Sequence, residues 1–244
     1  MQIKTRNIGL TVDDSLMRVY VAAPEPAGRY PGIAFYSDIY QLGGPITRLA
    51  DRLAGYGYVV AAPEIFHRLE PAGTVLEPTE IGKLRGNDAA RRTAIAEYDA
   101  DTNAVLGWLE SEESVIPGKL GAFGFCIGGH LAFRAALQPR VKAAVCIYPT
   151  GIHSGKLGRG TADTLERIGE IKGEVMTVFG TQDPHVPPEG REKILGALEA
   201  AGTRHKTLIY EAKHTFMRDD GYRYDPVATD EGWGEAIAFL RQAL

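Results

Sequence analysis

Three residues that could form a nucleophilic relay occur in order along the chain: Cys126, Asp183 and His214. Cys126 lies in Gly124-Phe125-Cys126-Ile127-Gly128, followed by Gly129. Lys119–Phe123 before it reads as a buried strand, and residues 129–137 after it read as a helix. In that strand–turn–helix setting, a nucleophile flanked by glycines two positions away on either side is presented on a sharp turn. Side chains at the flanking positions would collide, which is why glycine stands at both. The thiol then sits in strained backbone geometry on the first turn of a helix, where free N–H groups and the helix dipole favour the thiolate. An ordinary thiol of pKa about 8.5 is only about 3% ionised at pH 7, so such help is needed.

A thiolate relay needs a base, and the base needs an acid to orient it. Asp183 follows a strand-like run in Gly180-Thr181-Gln182-Asp183-Pro184, and His214 follows another in Glu211-Ala212-Lys213-His214. Nucleophile, acid and histidine in that order, each just past a strand on one sheet edge, is the expected arrangement. His185 is a rival base, but it lies two residues from Asp183 and in the wrong chain position. Two backbone N–H groups should receive the oxyanion. One is that of Ile127, after the nucleophile. The other comes from the loop after strand 33–36, where Ile39 in Ser37-Asp38-Ile39-Tyr40 is the candidate.

The elements that must position these residues alternate between strand-like and helix-length runs, which predicts a mostly parallel sheet covered on both faces. Ile8–Val12 and Leu16–Ala22, joined by Asp13-Asp14, form a hairpin and the one antiparallel-looking part. Strands follow at 33–36 and 58–62, with a helix over 45–55 that puts Ile46, Leu49 and Leu53 on one face. Residues 64–87 carry Pro71, Gly73, Pro78, Gly82 and Gly86 without periodicity and read as a surface excursion that could carry binding residues. One long helix is expected over 88–111. After Cys126 come strand 141–148, a loop with a helix near 161–169, strand 174–179, helix 188–201, strand 206–210 and a closing helix near 227–243.

Composition sets the remaining bounds. With 244 residues, 44% hydrophobic and 24% charged, the chain is expected to form one soluble domain over 1–244. The net charge of −4, with Lys and Arg scattered, argues against nucleic acid or an anionic membrane as a partner. No apolar signal core opens the sequence and no run approaches 18 apolar residues, so a cytoplasmic protein is expected. Two cysteines make no disulfide framework, and Cys146 reads as a buried strand residue. Phosphate-binding glycine loops and Cys/His metal spacings are missing, and His130 has no second ligand in reach by sequence, so no metal site is expected.

Nearly the whole chain resembles the dienelactone hydrolases (carboxymethylenebutenolidases) of the α/β-hydrolase superfamily. The segments that carry the resemblance are Ala62-Pro63-Glu64-Ile65-Phe66, Gly118–Gly129, Gly180-Thr181-Gln182-Asp183 with Val186-Pro187, and His214-Thr215-Phe216. Cysteine in place of the usual serine is the specific element. The resemblance implies an α/β-hydrolase fold of about eight strands and a cofactor-free hydrolase that opens a small carboxylate-bearing lactone through an acyl-enzyme. Its partner would be the small ester or lactone substrate, and its state a monomer or small homo-oligomer. Cys126 would be the nucleophile, His214 the base and Asp183 its orienting partner. Arg218, four residues past His214, would bind the substrate carboxylate. Asp38 would stand where the family has a glutamate that pairs with the resting thiol, one methylene shorter. A second carboxylate-binding arginine would come from the segment with Lys83, Arg85, Arg91 and Arg92, whose register is open. A general ester or thioester hydrolase, or a ligand-binding relative without turnover, remain the alternatives.

Overall fold

The computed structural model describes all 244 residues. The chain runs β1 (Ile3–Val12), β2 (Ser15–Pro24), β3 (Tyr30–Tyr36), α1 (Gly44–Gly55), β4 (Val59–Pro63), α2 (Glu80–Arg92) and α3 (Ile95–Ser111). It continues through β5 (Val115–Phe125), α4 (Ile127–Ala135), β6 (Val141–Ile147), β7 (Glu174–Gln182), α5 (Pro188–Ala200), β8 (His205–Lys213) and α6 (Pro226–Ala243). All eight strands form one sheet in the order β1-β2-β4-β3-β5-β6-β7-β8. Six of them, from β4 to β8 across the sheet, are parallel, and β2 runs antiparallel to both of its neighbours. The β1–β2 turn is the expected one. Asp13 and Asp14 have φ of 47° and 61°, and Val12 pairs with Ser15, as a two-residue hairpin turn requires.

Helices cover both faces, and the parallel strands send alternate side chains to two separate cores. On β3, Ala34 and Tyr36 join one core while Ile33 and Phe35 join the other. Leu106 and Leu109 of α3, α4 and Ile194 of α5 close the first core, and Ile46 and Leu53 of α1 with Trp233 and Leu240 of α6 close the second. No helix is long and apolar enough to cross a membrane.

Three expected elements differ. The stretch 64–87 is not all irregular, because α2 begins at Glu80, capped by the Thr79 side chain, which accepts from Gly82 N at 3.2 Å. The expected helix over 88–111 is two helices, broken at Thr93 and Ala94. There the backbone is extended and bonds a distant loop: Arg159 N donates to Thr93 O at 2.8 Å, and Ala94 bridges Arg159. No α-helix forms near 161–169, only turns and a single 3-10 turn at Ile168–Glu170. In that loop Asp163 and Thr164 are held by partners outside it, which local propensity does not register.

Candidate active site

Parallel strands place their C-terminal ends along one edge, and the predicted residues gather there. Cys126 follows the last residue of β5, Asp183 the last of β7, and His214 the last of β8. Cys126 has φ 59° and ψ −120°, a strained conformation for a residue with a side chain. The turn is fixed from both ends. Cys126 N donates to Ile147 O at 3.1 Å, and Cys126 O accepts from Gly129 N at 3.0 Å and Thr150 N at 3.1 Å. A Cβ on Gly124 would lie 1.9 Å from Gly128 O, and one on Gly128 would lie 2.3 Å from Ser37 O. The glycines are thus demanded by backbone contact. Cys126 is partly exposed to the cavity, whereas Cys146 is fully buried and burial pushes its thiol well above the usual range.

His214 is buried, and its Nδ1 lies 2.7 Å from Asp183 Oδ2. Asp183 is itself oriented, because its Oδ1 accepts from His185 N at 2.8 Å. Burial alone would lower the His214 pKa, but the adjacent Cys126 sulfur and then Asp183 outweigh it and hold the imidazole proton up to about pH 9. Tyr148 meets the His214 ring edge-on at 5.0 Å between centroids. His185 packs on its other side at 4.5 Å, with its pKa lowered by burial and by the His214 charge. The rival base therefore lies beside His214 and contacts Asp183 only through its backbone.

A cavity of about 740 Å³ opens over Cys126. Ile39 and Ile127 both line it. Ile127 opens α4, so its N–H has no acceptor within the helix, and Ile39 N donates to no group of the protein. Two residues with unmade backbone N–H groups therefore line the cavity.

Asp38 does not stand free to pair with the thiol. It accepts from Tyr40 N at 2.9 Å on one oxygen and from Arg218 Nη1 on the other. Burial raises the Asp38 pKa, and the Arg218 charge opposes that rise. Arg218 also lines the cavity, but its Nε donates to Asp220 Oδ1 at 2.6 Å and its guanidinium lies 5.0 Å from the Tyr40 ring. Two carboxylates already share this one cation. A substrate carboxylate would meet only the guanidinium N–H groups they leave over.

Of the four basic residues with open register, Lys83 and Arg91 line the cavity, Arg85 pairs with Glu70, and Arg92 lies outside it. Lys156 and Arg223, which sequence reasoning passed over, line it as well. So does much of the loop 151–160. That loop is tied to the helix behind Cys126 by His130, whose Nδ1 donates to Thr150 O at 2.9 Å while Nε2 accepts from Thr164 Oγ1 at 2.8 Å. Burial holds the His130 pKa down to about 3, so the ring is neutral and can make both bonds. Arg134 on the same helix grips Asp163 at 2.7 Å and Asp99 at 2.6 Å. A histidine four residues past the nucleophile signals no such tether in sequence.

One twisted sheet with a strained nucleophile turn, and a histidine–carboxylate pair on the same edge, defines an enzyme of the α/β-hydrolase fold. The dienelactone hydrolase family model matches residues 17–244, and the chain belongs to that family. A Saccharomyces cerevisiae protein provisionally named a carboxymethylenebutenolidase is 39% identical over 214 residues, covering 84% of this chain and 78% of its own. A Synechocystis protein of the same provisional name is 29% identical over 246 residues, covering 100% and 99%. Among solved structures, a Klebsiella pneumoniae chain provisionally named a dienelactone hydrolase superposes with a TM-score of 0.83 at 25% identity, covering 99% of this chain and all of that one.

Proposed function

We propose that this protein hydrolyses small esters and lactones that carry a carboxylate, with Cys126 as nucleophile. The thiolate attacks the carbonyl carbon, and the developing oxyanion is received by the N–H groups of Ile39 and Ile127. The carbon–oxygen bond then breaks as the His214 imidazolium gives its proton to the leaving oxygen. In a lactone that oxygen stays tethered to the acyl group. His214 next takes a proton from water, hydroxide attacks the thioester, and the carbon–sulfur bond breaks to return the thiolate. Asp183 holds the imidazole in the tautomer and orientation both steps need.

The observation that carries this reading is the strained Cys126 turn on the same sheet edge as the 2.7 Å His214–Asp183 pair. Support for an anionic substrate comes from the cavity walls, where Lys83, Arg91, Lys156, Arg218 and Arg223 face two carboxylates, Asp38 and Asp220. The test combines iodoacetamide titration against pH with turnover of carboxylate-bearing lactones and neutral p-nitrophenyl esters. Cys126 is expected to alkylate faster than an ordinary thiol, Cys126→Ala to lose turnover of both, and the anionic lactones to be preferred. Ordinary thiol reactivity with activity surviving Cys126→Ala would sink the mechanism. Preference for neutral esters would leave the mechanism and remove the carboxylate.

A further inference from the structure

Beside the active-site cavity lies a second hollow of about 300 Å³, lined by Arg68, Leu69, Arg91, Arg92, Glu97 and Arg159. We propose that this hollow is an anion subsite for the phosphate-type tail of a larger ester or thioester whose acyl carbon reacts at Cys126. The ligand class extends the hydrolase reading and its second half rests on it. Four guanidinium groups and one carboxylate, Glu97, line it; Asp13 and Asp101 pair with Arg68, Arg91 and Arg92 share Asp88, and Arg159 is left without a carboxylate.

Three of these arginines are poorly satisfied by the protein itself. Arg68 is the exception, donating to Asp101 at 2.9 Å and to Asp13 at 3.1 Å. Arg91 and Arg92 both reach toward the single carboxylate of Asp88, each at 3.5 Å, which is long for a hydrogen bond. Arg159 has no ion-pair partner within 4.0 Å, whereas Arg68, Arg91 and Arg92 beside it each reach at least one carboxylate. Forked, permanently charged donors of this kind match phosphate oxygens, and several together suit a group carrying more than one negative charge.

The hollow is coupled to the active site through the backbone. Arg91 lines both spaces, and Arg159 stands between Gly158 and Gly160, which line the active-site cavity. The strand-like contact of Arg159 with Thr93 and Ala94 fixes that junction. A cavity of about 740 Å³ is roomy for a small lactone and leaves space for a chain leading from Cys126 toward Arg91.

Arg92 and Arg159 are exposed and lie outside the residues assigned to the chemistry, so they can be changed without touching it. Calorimetric titration with inorganic pyrophosphate at low salt is the direct test. Wild type is expected to bind, more weakly as salt rises. Arg92→Ala/Arg159→Ala should bind about tenfold less or worse, Arg159→Lys should fall between, and turnover of a neutral p-nitrophenyl ester should be unchanged in all three. In parallel, a thioester with a phosphorylated leaving group should show a higher kcat/KM than its dephosphorylated twin, and the difference should collapse in the double variant. Absence of pyrophosphate binding, or binding indifferent to both substitutions, overturns the subsite. Equal kcat/KM for the two thioesters overturns its link to the substrate. If pyrophosphate binds as expected but no ester or thioester is turned over, the anion subsite stands and the hydrolase reading falls.

Discussion

At the scale of single residues, charge decides most of what can be tested. The His214 pKa lies at about 9, above the ordinary 6.5 or so, so its contribution to stability is complete below about pH 6.5 and is lost as pH rises through about 9. Because the imidazolium must protonate the leaving oxygen, kcat/KM should fall on the alkaline side with the same midpoint. Asp183→Asn should move that limb to lower pH, and a pH–rate profile of the two proteins reads it directly. Arg218 is the second case. It lines the cavity, and it also neutralises the buried Asp38. Arg218→Ala should then cost about 3–5 kcal/mol of stability, because it strands a buried carboxylate. The same substitution made together with Asp38→Asn should recover much of that loss in a denaturant melt. A melt unchanged by Arg218→Ala would return Arg218 to a purely substrate-facing role.

At the scale of elements, the loop after β3 depends on α2. A Cβ on Gly86 would lie 2.4 Å from Ile39 O, so this helix packs its glycine directly on the backbone of a residue that lines the cavity. Gly86→Ala should push α2 and the Ile39 loop apart. A displacement near 1 Å is enough to cost about 10²-fold in rate. Turnover should therefore drop while iodoacetamide still modifies Cys126 at the wild-type rate, since β5 and α4 are untouched. Equal losses of turnover and thiol reactivity would show that the whole edge had moved.

At the scale of the molecule, the sheet is held between two cores, and Trp233 is the largest fully buried side chain. It reaches Phe123 of β5 at 5.4 Å between centroids, three residues before the nucleophile. Trp233→Ala should remove about 3–5 kcal/mol. For a chain of this size that is roughly 6–20 °C in Tm by differential scanning calorimetry. Trp233 lines no part of the active-site cavity, so the loss should appear in Tm well before it appears in kcat at 25 °C.

The sequence by itself determined the order of elements along most of the chain and the chemistry of the elbow. Gly124, Cys126 and Gly128 lie within one turn, where the steric demand is local, and Asp183 and His214 each follow a strand that its own residues mark out. The α2–α3 break at Thr93-Ala94 was not legible, because the bonds that break the helix come from Arg159, more than sixty residues away. The pairing of Arg218 with Asp38 spans 180 residues, and the Ile39–Gly86 contact joins a loop to a helix with no shared pattern. The same holds for the arginine hollow, whose four cations come from three separate segments. Local sterics and periodicity act between near neighbours and can be read from order alone. Which charges neutralise one another depends on distance in space, and only the folded sheet sets that distance.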